Sequence, residues 1–161
     1  MFSVVIYNIL RRAIRAKIQT QLYIILYSMT METLKIKTGG KEELTDITGG
    51  VAEIVRASAV KSGVCHVFVP HTTCALAINE NADPDVKTDI LGKLRETISE
   101  DFPYRHSEGN SPAHIKAVLT GTSLTIIIEN VELQLGTWQG VYLCEFDGPR
   151  TRQVWVKIMA G

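Results

Sequence analysis

The stretch "SLTIIIENVELQLGTWQGVYLCEFDGPRTRQVWVKIMA" (123–160) decides the fold class. It reads as four short strands, 123–129, 131–135, 140–147 and 152–160, rich in β-branched and aromatic residues. Turn residues separate them at Glu129-Asn130, Gly136–Gln139 and Gly148-Pro149. Working outward, "TLKIKT" (33–38) alternates apolar and polar residues, as a half-buried strand does, before the turn at Gly39-Gly40. Residues 46–60 place Val51, Ile54, Val55 and Ala59 at helical spacing, with Thr48 as a candidate cap. Residues 63–70 and 74–80 read as strands. Asp83-Pro84 is a helix start, and Val86, Ile90, Leu94 and Ile98 then recur every four residues, predicting a helix over 84–99. A polar loop follows over 101–114, and Ser111-Pro112 can open a short helix through Leu119. Strands mixed with two or three segregated helices give an α+β domain, not a parallel doubly wound sheet.

The chain has 161 residues, 45% hydrophobic and 21% charged, which excludes a disordered or low-complexity chain. Seventeen basic and seventeen acidic side chains cancel, which argues against a nucleic-acid partner. No apolar run reaches the roughly 20 residues of a membrane helix, so no membrane partner is expected. Cys65, Cys74 and Cys144 form no CxxC pair and read as reduced thiols in a cytoplasmic protein. Charge is uneven along the chain. Residues 1–30 carry Arg11, Arg12, Arg15 and Lys17 and no acid, giving +4, and the remainder carries −4. The basic residues sit amid the apolar ones rather than before them, unlike a secretory signal, and the segment is too Ser-poor for a typical transit peptide. Residues 1–30 are therefore expected to be an extension outside the core, with a start at Met29 or Met31, and residues 31–161 a single domain.

No Walker loop, GxGxxG, GxSxG or HExxH pattern is present. Polar residues crowd instead into 71–85, 104–116 and 136–150. His71, His106 and His114 fall in the first two stretches. Three imidazoles with an open fourth position suit a divalent metal, although loop histidines also commonly do no more than hydrogen-bond. Glu108, two residues from His106, can be a ligand, a partner of a ligand or a base. Glu80 closes an apolar strand and is a candidate catalytic carboxylate, whereas Asp83 reads as a helix cap. Asn79 can fix a turn or bind substrate. Thr72, Thr73 and Asn110 are candidate substrate contacts. Trp138 and Gln139 lie in a tight turn between glycines, where the ring can stack on a flat ligand or cap the core edge. Arg150 can bind phosphate or solvate its turn. Cys74 and Cys144 lie in apolar strands and read as core, and His66 reads as structural.

The motifs "HTTCALAINENADPDV", "PYRHSEGNSPAHIKA", "SLTIIIENVELQLGTWQGVYLCEFDGPR" and "VWVKI" together resemble the YjbQ-like family, also called the secondary thiamine-phosphate synthase family. The resemblance runs from about Thr33 to Gly161 and has no counterpart for residues 1–30. It implies an α+β fold containing a β-sandwich, assembled as a homotrimer. It also implies a bound divalent metal, zinc by the usual assignment, at His71, His106 and His114, while Glu108 matches the family's "HSEGN" glutamate and 136–140 its "GTWQG" turn. Magnesium is a second option because the implied substrate is a diphosphate. The implied activity joins hydroxymethylpyrimidine diphosphate to a thiazole phosphate. Arg150 then serves the departing diphosphate and Trp138 the flat rings. Two other classes fit the same residues: a metal-dependent hydrolase of a small phosphorylated or acyl substrate with Glu108 as base, and a non-catalytic trimeric protein that binds a small ligand.

Overall fold

The computed structural model describes residues 2–161, with the side chains of 10–27 and 30–161. Helix α1 (Phe2–Met29) precedes the strands β1 (Glu32–Lys37) and β2 (Glu43–Asp46), helix α2 (Thr48–Ser58) and strands β3 (Ser62–Phe68) and β4 (Cys74–Glu80). Helices α3 (Pro84–Thr97) and α4 (Ser111–Thr120) follow. The chain ends with β5 (Ser123–Glu129), β6 (Glu132–Leu133), β7 (Gln139–Glu145) and β8 (Thr151–Ala160). The strands form two antiparallel sheets, one ordered β1-β8-β3-β5-β6 and the other β2-β7-β4. The domain is α+β, as its sequence pattern predicts.

Strand alternation explains how the sheets meet. Val154, Val156 and Ile158 on β8, and Cys65 and Val67 on β3, share one face of the larger sheet. They meet Leu76 on β4 and Val141 and Leu143 on β7 in the main core, to which α2 adds Val51 and Val55. Strand β7 is central in the smaller sheet and buried on both faces. Its other face carries Tyr142 and Cys144, and Phe146 follows just beyond the strand. These meet Ala113 and Ala117 of α4 in a second core, with Leu91 and Leu94 of α3 at its edge. The near-continuous burial along β7 is what a strand covered on both sides requires.

Three local readings change. Strand β2 precedes the first domain helix, so residue 46 ends a strand rather than opening a helix. Thr48 is not the cap. It is the first residue of α2, and Asp46 Oδ1 accepts from its backbone N–H at 2.9 Å and from its hydroxyl. The expected strand over 131–135 contracts to Glu132–Leu133, because Asn130 and Val131 both adopt positive φ in the preceding turn. The other cap holds: Asp83 accepts from the Asp85 N–H at 2.9 Å.

The last turns of α1 rest on the domain. Ile24 and Tyr27 pack against the main core, and the Tyr23 and Tyr27 hydroxyls donate to the carbonyls of Ala57 and Ile54.

Gly63 shows how closely the larger sheet is packed. It sits on β3 between β5 and β8, and a Cβ there would lie 2.1 Å from the Met159 carbonyl oxygen. Gly63→Ala must push β8 aside and is expected to cost about 1–3 kcal/mol, the range for overpacking. The urea midpoint measures this, and an unchanged midpoint would show that the two strands separate freely.

Candidate functional site

Seven of the residues nominated by the sequence converge at one end of the sheets. His71, Thr72 and Thr73 lie between β3 and β4. Glu108, Asn110 and His114 come from the loop before α4 and from α4 itself, and Arg150 lies just before β8. With Pro70, Asp147 and Arg152 they line an open cavity of about 290 Å³.

The floor of this cavity is a buried ion pair. Glu145 at the end of β7 is fully buried and Arg152 of β8 is 5% exposed. Arg152 Nε donates to Glu145 Oε2 at 2.7 Å, and Nη2 donates to Glu145 Oε1 and to Thr73 Oγ1, the latter at 2.9 Å. Glu145 also accepts from the Thr38 hydroxyl and from the backbone N–H groups of Phe146 and Asp147. A buried charge persists only when it is paired and hydrogen-bonded, and the Glu145 carboxylate meets that condition on both oxygens. Arg152 thereby fixes Thr73. Arg150 is half-exposed and is held by Asp147, with Nε on the carbonyl oxygen at 2.6 Å and Nη2 on Oδ2 at 2.7 Å.

His71 is anchored by the edge of the neighbouring strand. Its Nε2 accepts from the Gln153 N–H at 2.9 Å, which leaves the proton of the neutral ring on Nδ1. Burial, reinforced by the Arg152 charge, holds its pKa below the usual imidazole value, and the Glu145 carboxylate pulls the other way. A folded pKa below the unfolded one means that the unfolded chain binds more protons. Stability from this group is therefore present above about pH 6.5, the unfolded value, and is lost as pH falls toward the folded pKa. The melting temperature is expected to fall between pH 7.5 and pH 5.5, in a window set by that ~6.5 reference value. His71→Gln, whose amide oxygen can still accept from Gln153, should flatten the dependence. A profile identical in wild type and variant would remove His71 as its source.

Asn110 carries the unpaired atom of the site. Its Nδ2 donates to Asp147 Oδ2 at 3.0 Å, but its buried Oδ1 has no hydrogen-bond partner among the described residues. A buried acceptor without a donor costs about 1–3 kcal/mol, and a ligand N–H or O–H relieves it. Asn110 also stands at the start of α4, the positive end of that helix dipole.

The three imidazoles are only partly gathered. The rings of His106 and His114 meet edge to face, with centroids 5.3 Å apart. His106 Nε2 lies 3.9 Å from Glu108 Oε2. His114 lines the main cavity, whereas His106 opens on a neighbouring hollow with Tyr104, Ser111 and Ile115. His71 spends Nε2 on Gln153. Among the described residues no three His, Cys, Asp or Glu side chains form a group able to hold a metal ion. As placed, His71, His106 and His114 do not fit one ion.

Glu80, Asn79, Trp138 and Gln139 are not brought to this cavity. They occupy the far ends of β4 and β7, where Glu80 pairs with Gln139, while the cavity adjoins the opposite pair, Cys74 and Glu145. Six residues of strand separate the two ends, about 20 Å. These four residues hold the turn instead. Asn79 Oδ1 accepts from the Glu80 N–H, the Trp138 carbonyl from Asn81, and Gln139 Oε1 from the Gly136 N–H. Trp138 is 65% exposed. Cys74 and Cys144 are core residues whose thiols burial pushes up to about 11 and about 12, so neither is a nucleophile at neutral pH. His66 contacts the Thr125 hydroxyl at 3.0 Å, a structural role.

Arg152, Asp147 and Glu145 were missed from the sequence. The signal for Arg152 was its parity: it shares the inward face with Val154, Val156 and Ile158. An arginine at a core position of a strand implies a buried acid opposite it.

The family model "UPF0047 protein YjbQ-like" matches residues 32–161. A UPF0047 protein of Methanocaldococcus jannaschii is 50% identical over 125 residues, covering 78% of this chain and 91% of its own. UPF0047 protein YugU of Bacillus subtilis is 47% identical over 130 residues, 80% of this chain and 98% of its own. Among solved structures, an uncharacterized conserved protein of the yjbQ/UPF0047 family from Clostridium acetobutylicum superposes with a TM-score of 0.78 at 52% identity, over 80% of this chain and 99% of its own. A YbjQ-like protein of unknown function from Sulfolobus solfataricus gives 0.79 at 33% identity, over 82% and 97%. The chain belongs to the UPF0047 YjbQ-like family.

Proposed function

We propose that the cavity at His71, Thr73, His114 and Arg150 binds a phosphorylated small molecule, and that the protein is a transferase of the thiamine-phosphate synthase type. In that reaction the nitrogen of a thiazole phosphate attacks the methylene carbon of hydroxymethylpyrimidine diphosphate. The carbon–oxygen bond to diphosphate breaks and diphosphate departs with the electron pair. No side-chain nucleophile is needed. The site must stabilise charge growing on the leaving oxygens and hold two flat rings in line. The observation that carries the reading is the convergence of seven sequence-nominated residues on one cavity of substrate size. Arg150, the threonine hydroxyls and His114 supply donors for the diphosphate. The unpaired Asn110 Oδ1 suits an N–H on a ring substituent. The imidazoles of His71, His106 and His114 are not placed around one point.

A second reading rests on Glu108, whose carboxylate borders the same cavity. With His114 it can activate water toward a phosphorylated substrate. Purified protein incubated with both phosphorylated precursors separates the two. Thiamine phosphate above a no-enzyme control is the expected result, and Glu108→Gln should retain most of that activity, since the transfer needs no base. Absence of product, together with hydrolysis of the diphosphate precursor that Glu108→Gln abolishes, would establish the hydrolase instead.

A further inference from the structure

Helix α1 presents an apolar stripe that the domain leaves uncovered. Leu10, Ile14, Ile18 and Leu22 recur every four residues, which keeps them on one side of a helix. Each is more than half exposed. The side that meets the domain is a different one, carried by Tyr23, Ile24 and Tyr27. Four large aliphatic side chains in a row on solvent call for a partner.

The charges on the helix say which partner. Arg11 and Arg15 each follow a stripe residue by one position and border the stripe on one side. Lys17 precedes Ile18 and borders it on the other. Residues 1–31 contain no carboxylate. Pairing two such helices would set arginine against arginine. An anionic lipid surface offers what the helix lacks, an apolar layer beneath and negative headgroups around it. Lys61 is one further cation, across a cleft of about 470 Å³ between α1 and the end of β8 that Lys17 also lines. No described helix is long and apolar enough to cross a membrane, so the geometry is that of a helix lying on the surface. The helix also precedes residues 32–161, the part shared with the family.

We infer that α1 docks this protein on an anionic membrane surface, with Leu10, Ile14, Ile18 and Leu22 in the acyl boundary and Arg11, Arg15 and Lys17 at the headgroups. This departs from the absence of a membrane partner expected from composition, which excluded only a spanning helix.

Flotation of the full chain with vesicles tests it. The chain should float with mixed phosphatidylcholine–phosphatidylglycerol vesicles and not with phosphatidylcholine alone, and high salt should release it. Ile14→Glu/Ile18→Glu should lose more than about tenfold in partitioning. Arg11→Gln/Arg15→Gln should lose about fivefold per charge removed. Thermal unfolding confirms that the variants fold, and the arginine variant carries the test if the glutamate variant does not. Wild-type protein that fails to float, or variants that float as wild type does, would overturn the inference. So would a stripe variant that shrinks the assembly in sedimentation while neither protein floats, since a second copy would then cover the helix.

Discussion

Arg152→Ala is expected to destabilise the protein by about 3–5 kcal/mol, the range for breaking a buried ion pair from one side. Glu145 would keep only the Thr38 hydroxyl and two backbone donors, with no counter-charge and almost no access to water. At ~2–4 °C per kcal/mol for a chain of this size, the melting temperature should drop by roughly 6–20 °C. The double variant Glu145→Gln/Arg152→Met should recover part of that loss, because no buried charge is then left unpaired. Lys116→Ala is the contrast. Lys116 is 1% exposed and bonds Glu42 at 2.5 Å, but Glu42 retains Arg95 at 2.7 Å, so the loss should be smaller. An Arg152→Ala protein that melts within a few degrees of wild type would mean that water reaches Glu145 and that the pair is not a structural floor.

The same pair marks where the sequence stops being legible. Strands and helices were readable because alternation and four-residue spacing persist over whole elements, as in "TLKIKT", "RQVWVKI" and the helix after Asp83. The loop residues of the site were nominated by chemistry alone, and seven of them meet. What no periodicity conveys is which end of a strand faces which loop. Glu80 and Gln139 are polar residues at strand ends, much as His71 and Arg150 lie next to strand ends, yet the antiparallel register of β4 on β7 sends them to the opposite end. Strand β2 was illegible because its four residues, three half-buried and the last exposed, carry no alternation. Glu145 was hidden because β7 is covered on both faces, so its inward positions do not alternate with polar ones.

The second large effect concerns the reaction. Arg150→Ala is expected to lower kcat for thiamine-phosphate formation by about 100-fold, the lower end of the range for removing one preorganised donor to a developing anion. Half-exposure of the guanidinium places it at that end. The loss should fall on kcat more than on KM, since charge on the leaving oxygens grows as the bond breaks. Removal of Arg150 also leaves the Asp147 carboxylate held only by the neutral Asn110 amide, without its counter-charge, which adds repulsion toward an anionic substrate. Trp138→Ala should change neither parameter by more than about twofold, because ~20 Å of strand separates it from the cavity. Equal losses in the two variants would mean that the ring reaches the substrate after all.

The claim that the strand-end cavity is the phosphate site is tested most directly by calorimetric titration of inorganic diphosphate into three proteins: wild type, Arg150→Ala and Trp138→Ala. Wild type and Trp138→Ala should bind diphosphate alike at one site per chain, and Arg150→Ala should bind it at least about tenfold more weakly, as loss of a charge-assisted contact implies. Diphosphate binding that survives Arg150→Ala and disappears with Trp138→Ala, or no binding by the wild type, would contradict the assignment.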